Sequence, residues 1–341
     1  MNISALDKTL SIIFLLLVSM FLVYKAVERP RVLVLHSYAT DFSWVKDINT
    51  GIDRALGDRP YNIRHFYMDT KKHPSLEFRR EAGSAARDLI HQWKPSVILA
   101  VDDNAQEFVG RYFVNHPDID IVYAGVNADL ARYDYHQADN VGGIGEVIPW
   151  AVTKEVLASL GNEENRLLHL SDDSDTSHYV HDSIQGFDWQ PFKLVGSKNI
   201  DDFDAWKAAV VESNTKADWL LITHYHTIKD PQDPNKVVNP ATVVEWTKEH
   251  SDLPMLGFWR FFIEDGGMMA VGLSPFEQGE EAGHMVTDII EKGLQAGSIG
   301  HKQNRLYLMY IRKTDFHKRL KGKEIPLEIE AFADAVDGAY D

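Results

Sequence analysis

The sequence predicts an α/β protein built on parallel sheets, and three observations carry that reading. Short aliphatic runs such as VLVL at 32–35 and VILAV at 97–101 fit strands buried on both faces. Amphipathic segments of helical period separate these runs, the alternation that produces βα units. The polar residues that follow the runs then fall at the carboxyl ends of the strands, where open parallel sheets bind ligands.

The first unit sets the pattern. RVLVLH is followed by a polar turn and then by Trp44, Ile48, Ile52 and Leu56 at helical spacing. A second strand is expected over Tyr61–Asp69 and a helix over Glu77–Trp93. The third strand, Pro95–Val101, ends in Asp102-Asp103-Asn104, and the fourth, Ile119–Ala124, in Gly125-Val126-Asn127. Between Asp129 and Gly145 the glycines and polar residues read as a connection. Alternation resumes with a helix at Trp150–Leu160 and strands at Arg166–Leu170, Phe192–Gly196, Trp219–Thr223 and Pro254–Phe258, with helices between them. Asp230–Asn235 reads as a loop. A strand at Met268–Ser274, a helix at Glu277–Gly293 and a last strand at Arg305–Ile311 complete the chain.

Composition narrows the classes of function. With 341 residues the chain can form two domains. Its formal charge of −16 opposes a nucleic-acid partner. The absence of cysteine removes disulfides, thiolate metal sites and cysteine nucleophiles. The apolar run Leu10–Tyr24, between Lys8 and Lys25, fits a signal peptide or a signal anchor. An uncleaved anchor is favoured, because the best cleavage candidate, Ala26, has bulky Tyr24 two positions before it. That N-terminal hydrophobic helix would place the chain on the periplasmic side of the inner membrane, anchored or secreted.

No G-x-S-x-G, H-E-x-x-H or G-x-x-x-x-G-K motif occurs. Among 15 histidines, His224 and His226 lie two apart and His178 and His181 three apart, yet neither pair brings an evident third ligand. No metal and no cofactor is expected. The candidate ligand residues are those at strand ends: Ser37, Tyr38, Asp41 and Trp44 after the first; Asp102 and Asp103 after the third; Asn127 after the fourth. Asp172, Ser174, His224 and Trp259 hold equivalent places in the second half, and Glu146 follows the crossing. Carboxylates near a closing cleft attract an ammonium and oppose an anion.

VLVLHSYATDFSWVKDINTGI, KPSVILAVDDNAQEFV, IVYAGVN, AVGLSPFEQGEEAGHMVTDIIEKG and IRKTDFHKRLKGKEIP, in this order, resemble the ABC-transporter substrate-binding family with the type I periplasmic binding fold. The resemblance covers nearly everything after Pro30. It implies two Rossmann-like lobes joined by crossing strands: residues 30–142 with 276–304, and residues 143–275 with 305–341. The DDNA and GVN segments are closer to extracytoplasmic sensor modules than to transporter versions. The expected function is therefore a small-molecule binding protein that closes on a ligand, an amine-bearing one by the charge of the cleft carboxylates, and serves an ABC permease or a membrane sensor. The alternative is a doubly wound α/β enzyme using cleft carboxylates.

Overall fold

The structure, a computed structural model, describes residues 9–20, 29–160 and 165–335. Chain order sets the architecture. Strands β1 (Arg31–His36), β2 (Asn62–Tyr67), β3 (Val97–Val101), β4 (Asp120–Val126) and β5 (Val141–Gly145) come first. They alternate with helices α1 (Ser43–Leu56), α2 (Leu76–Trp93) and α3 (Asp102–Phe108). After α4 (Trp150–Leu160) come β6 (Arg166–Asp172), α5 (Asp175–Gly186), β7 (Lys193–Ile200), α6 (Phe203–Lys216) and β8 (Trp219–Ile222). A small antiparallel hairpin, β9 (Lys229–Asp230) and β10 (Asp233–Val237), precedes α7 (Pro240–His250), β11 (Met255–Gly257), α8 (Arg260–Glu264) and β12 (Met269–Leu273). The long α9 (Pro275–Lys292), β13 (His301–Gln303), β14 (Tyr307–Ile311) and β15 (Ala333–Ala335) follow.

Two sheets result. The first has the order β13-β5-β4-β3-β1-β2 and is parallel throughout. The second has the order β15-β14-β12-β11-β8-β6-β7, in which only the β12–β14 pair is antiparallel. The chain passes between them three times, near Glu146, at Ser274 and at Asn304–Leu306. These passages lie side by side: Val147 N donates to Asn304 Oδ1 at 2.8 Å, and Ser274 N to the Leu306 carbonyl at 3.2 Å.

Two expectations need correction. Residues 141–145 are a full strand rather than part of a connection, so the first sheet continues past residue 142. Its glycines concealed it: a Cβ at Gly143 would collide with Tyr123, and one at Gly142 with the Ala296 carbonyl. The expected loop at Asp230–Asn235 lies in the β9–β10 hairpin. Residues 9–20 are helical and exposed, and among the described residues no helix is long and apolar enough to cross a membrane. The remainder of the run to Tyr24, and Ala26, lie outside the described residues.

Helix α9 packs on α1 through glycine. Gly51 and Gly279 bring the two backbones together, and a Cβ at Gly279 would strike the Ile48 carbonyl. Because the obstacle is backbone, the helices must separate to admit a methyl group. Gly279→Ala is expected to destabilise the fold by about 1–3 kcal/mol. Thermal unfolding of the variant checks this, and an unchanged midpoint would contradict the close packing.

Candidate ligand cleft

The carboxyl ends of the two sheets face each other across an interlobe cleft. β3 runs into α3 without a loop, which puts Asp102 in the left-handed region at φ 64°. Such a conformation costs a non-glycine residue on the order of 1–3 kcal/mol and collects at ligand sites. A Cβ on Gly125 would lie 3.0 Å from Asp102 Oδ1, so glycine at the end of β4 makes room for the carboxylate.

At the centre of the cleft is a small cavity of about 20 Å³, lined by Tyr38, Trp44, Asp102, Asn127, Glu146 and, from the second lobe, His224 and Trp259. That volume suits a single water at most. Seven of the sequence candidates thus meet at one point. Trp44 Nε1 donates to Asp102 Oδ1 at 2.9 Å. Glu146 accepts from Trp259 Nε1 at 2.7 Å and from Asn127 Nδ2 at 2.9 Å. Two buried polar atoms on this wall have no hydrogen-bond partner: Asp102 Oδ2 and His224 Nδ1.

The other candidates are placed differently. Ser37 is fully buried, donating to the Val101 carbonyl at 2.7 Å and accepting from Ala105 N at 2.8 Å, so it clips β1 to β3 and α3. Asp103 accepts from Tyr133 Oη, Ala128 N, Asn127 N and, across the cleft, Thr176 Oγ1. Asp172 accepts from Ser177 Oγ at 2.5 Å, Ser174 Oγ at 2.7 Å and Thr227 N at 3.0 Å. Ser174 also caps α5. Asp41 is exposed in an ion pair with Lys72 at the cleft mouth.

Sequence reasoning missed Phe42, Thr176 and Phe261, which complete the cavity wall, and Lys71. Lys71 follows β2, so the strand-end rule that selected the other residues also points to it. Its ammonium lies 4.4 Å from the Tyr38 ring centroid and 5.5 Å from that of Phe42, and it forms no direct ion pair with a described residue. No group of three or more metal-ligating side chains occurs among the described residues.

Charge burial differentiates the four carboxylates. Burial, with the charge of Glu146, raises Asp102 well above the carboxylate range against the opposing pull of Lys71 and Trp44. Burial pushes Glu146 up to about 7. Burial would also raise Asp172, but the charge of Lys71 and the serine hydrogen bonds hold it below the usual range. Burial lowers His224 to about 3, so its ring is neutral at physiological pH.

The sign of the Glu146 shift fixes a pH effect. A carboxyl that holds its proton more tightly when folded favours folding at acid pH. This contribution is complete below the ordinary value of 4.5 and disappears as pH rises to about 7. Asp102 acts in the same direction. The melting temperature of the unliganded protein is expected to fall between pH 5 and 7, and Glu146→Gln to flatten that decline; identical slopes would contradict a protonated Glu146.

No protein-family model and no curated protein matches the chain. Solved structures resemble it in shape at low identity. A conserved domain protein from Vibrio cholerae superposes with a TM-score of 0.70 at 15% identity, covering 90% of this chain and 99% of that one. An ABC domain from Streptococcus pneumonia in complex with L-Trp gives 0.70 at 15% identity, covering 91% and 100%. The ligand-free, open structure of a substrate binding protein with adhesive properties from Clostridium difficile gives 0.63 at 14%, covering 90% and 99%. At these identities the likeness is one of fold: the chain has the type I periplasmic binding fold found in solute-binding proteins of ABC transporters.

Proposed function

We propose that this chain is an extracytoplasmic solute-binding protein whose lobes close on a small organic ammonium with an apolar or aromatic body. The observation that carries the reading is Asp102 Oδ2, a carboxyl oxygen buried in the interlobe wall without a hydrogen-bond partner, which becomes a carboxylate acceptor when an arriving cation displaces the proton that burial holds there. A buried acceptor in that state costs about 1–3 kcal/mol, which an arriving N–H⁺ would recover. Around it Tyr38, Phe42, Trp44, Trp259 and Phe261 offer ring faces that attract a cation and cover an apolar body. His224 Nδ1 offers a second polar contact from the opposite lobe.

Residues 30–145 with 276–304 act as one lobe and residues 147–275 with 305–335 as the other, the chain passing between them at Glu146. Ligand contacts made to both lobes only in the closed state drive closure. The N-terminal apolar run is a signal anchor that holds the protein at the periplasmic face of the membrane. From there it delivers ligand to an ABC permease or presents its closed shape to a membrane sensor. The fold shared with an ABC domain in complex with L-Trp and with a substrate binding protein supports a binder over the alternative of a cleft enzyme.

A thermal-shift screen against amino acids, arylalkylamines and polyamines would identify ligands by the rise in melting temperature that mass action requires. For an amine hit, Asp102→Asn is expected to weaken binding by calorimetry at least about tenfold, the loss of a charge-assisted hydrogen bond. Unchanged affinity would remove Asp102 from the site. Recovery of the full chain in the membrane fraction after carbonate washing is expected for an anchor, and release into the wash would contradict it.

A further inference from the structure

We propose that Lys71 is an intramolecular ligand of the cleft: its tethered ammonium takes the place over the Tyr38 and Phe42 rings that a solute cation would take, and holds the lobes together when no solute is bound. The proposal rests on the reading of the cleft as an ammonium site, and it starts from where Lys71 lies. Its side chain lines the central 20 Å³ cavity and both adjoining spaces, one of about 610 Å³ at the cleft mouth and one of about 150 Å³ on the other side. Tyr38 is the other residue common to all three, and the Lys71 ammonium sits over its ring. With Lys71 in place a solute larger than water has no room in the central space beside Asp102. With Lys71 withdrawn the three spaces join into one of ordinary ligand-site size.

The placement of Lys71 is fixed by its neighbours. Thr70 is buried, with Oγ1 donating to the Ser37 carbonyl at 2.7 Å and accepting from Asn104 Nδ2 at 3.0 Å. Lys72 pairs with Asp41, and Asp69 takes the left-handed backbone conformation at φ 55°. The loop is thus tied to the first lobe on both sides of Lys71, and its charge is presented to the second. The carboxylates nearest in electrostatic effect are Asp172 of the second lobe, then Asp102, Glu146 and Asp103. Closing the lobes without a cation would leave the ionised Asp172 with no opposite charge in the cleft, while burial holds the other carboxyls toward their neutral form. Lys71 supplies that cation in the empty protein. A solute ammonium must then displace a competitor whose effective concentration is set by a short tether, in the millimolar range.

The experiment uses the full chain and exploits its lack of cysteine. Spin labels at Ser84→Cys on α2 and Asp182→Cys on α5, both exposed, report the interlobe distance without background. In the absence of solute, the distance distribution is expected to move to longer values in Lys71→Ala and in Lys71→Gln, and to stay short in Lys71→Arg. Phenethylamine is the probe. It is expected to bind Lys71→Ala about tenfold more tightly than the unsubstituted chain, as removal of a tethered competitor requires, and to restore the short distance. Unchanged unliganded distances in both neutral variants would overturn the proposal. So would weaker phenethylamine binding by Lys71→Ala, which would make Lys71 part of the solute's own binding surface. If the neutral variants open but phenethylamine binds none of the proteins, Lys71 stands as the internal ligand, and the arylalkylamine reading of the external solute fails.

Discussion

The constraint on which this molecule depends is the gathering of like charge. Asp102, Asp103, Glu146 and Asp172 come to a buried cleft from both sides, and each would be costly there as an unpaired anion. The fold answers the four unequally. Asp103 and Asp172 are wrapped in donors and belong to the framework. Glu146 receives an indole and an amide, one from each side of the cleft. Asp102 receives a single indole and keeps one oxygen bare. The deficit is therefore concentrated on one atom, beside a cavity and under aromatic walls.

Backbone and charge meet in that same residue. β3 is buried along its length between β1 and β4, so its end is rigidly placed. The immediate start of α3 leaves Asp102 no loop in which to relax. Rigid placement is what a binding site requires, since a carboxylate free to turn toward solvent would satisfy itself with water.

The central strands were legible because a parallel strand covered on both faces must be apolar throughout, as VLVL and VILAV are. The strand-end rule then pointed to Asp102, Asn127, His224 and Trp259, which share one cavity wall with Glu146, a residue marked only as following the crossing. What escaped was written in other terms. β5 is VGGIG, where glycine serves close approach rather than strand propensity, and β13 is HKQ, an exposed edge with no apolar pattern. Ser37 has the residue type of a ligand group but is consumed by the backbone of its neighbours. Lys71 sits in a polar TKKHP segment that looks like any solvated turn. Only the packing of that turn against Tyr38 distinguishes it.

The three side-by-side passages also govern how the molecule can be made. The first sheet is not complete until β13 has been added at its edge, and α1 has no cover until α9 returns to it. Nearly the whole chain must therefore leave the ribosome before either half can reach its final packing, which delays stable folding during synthesis.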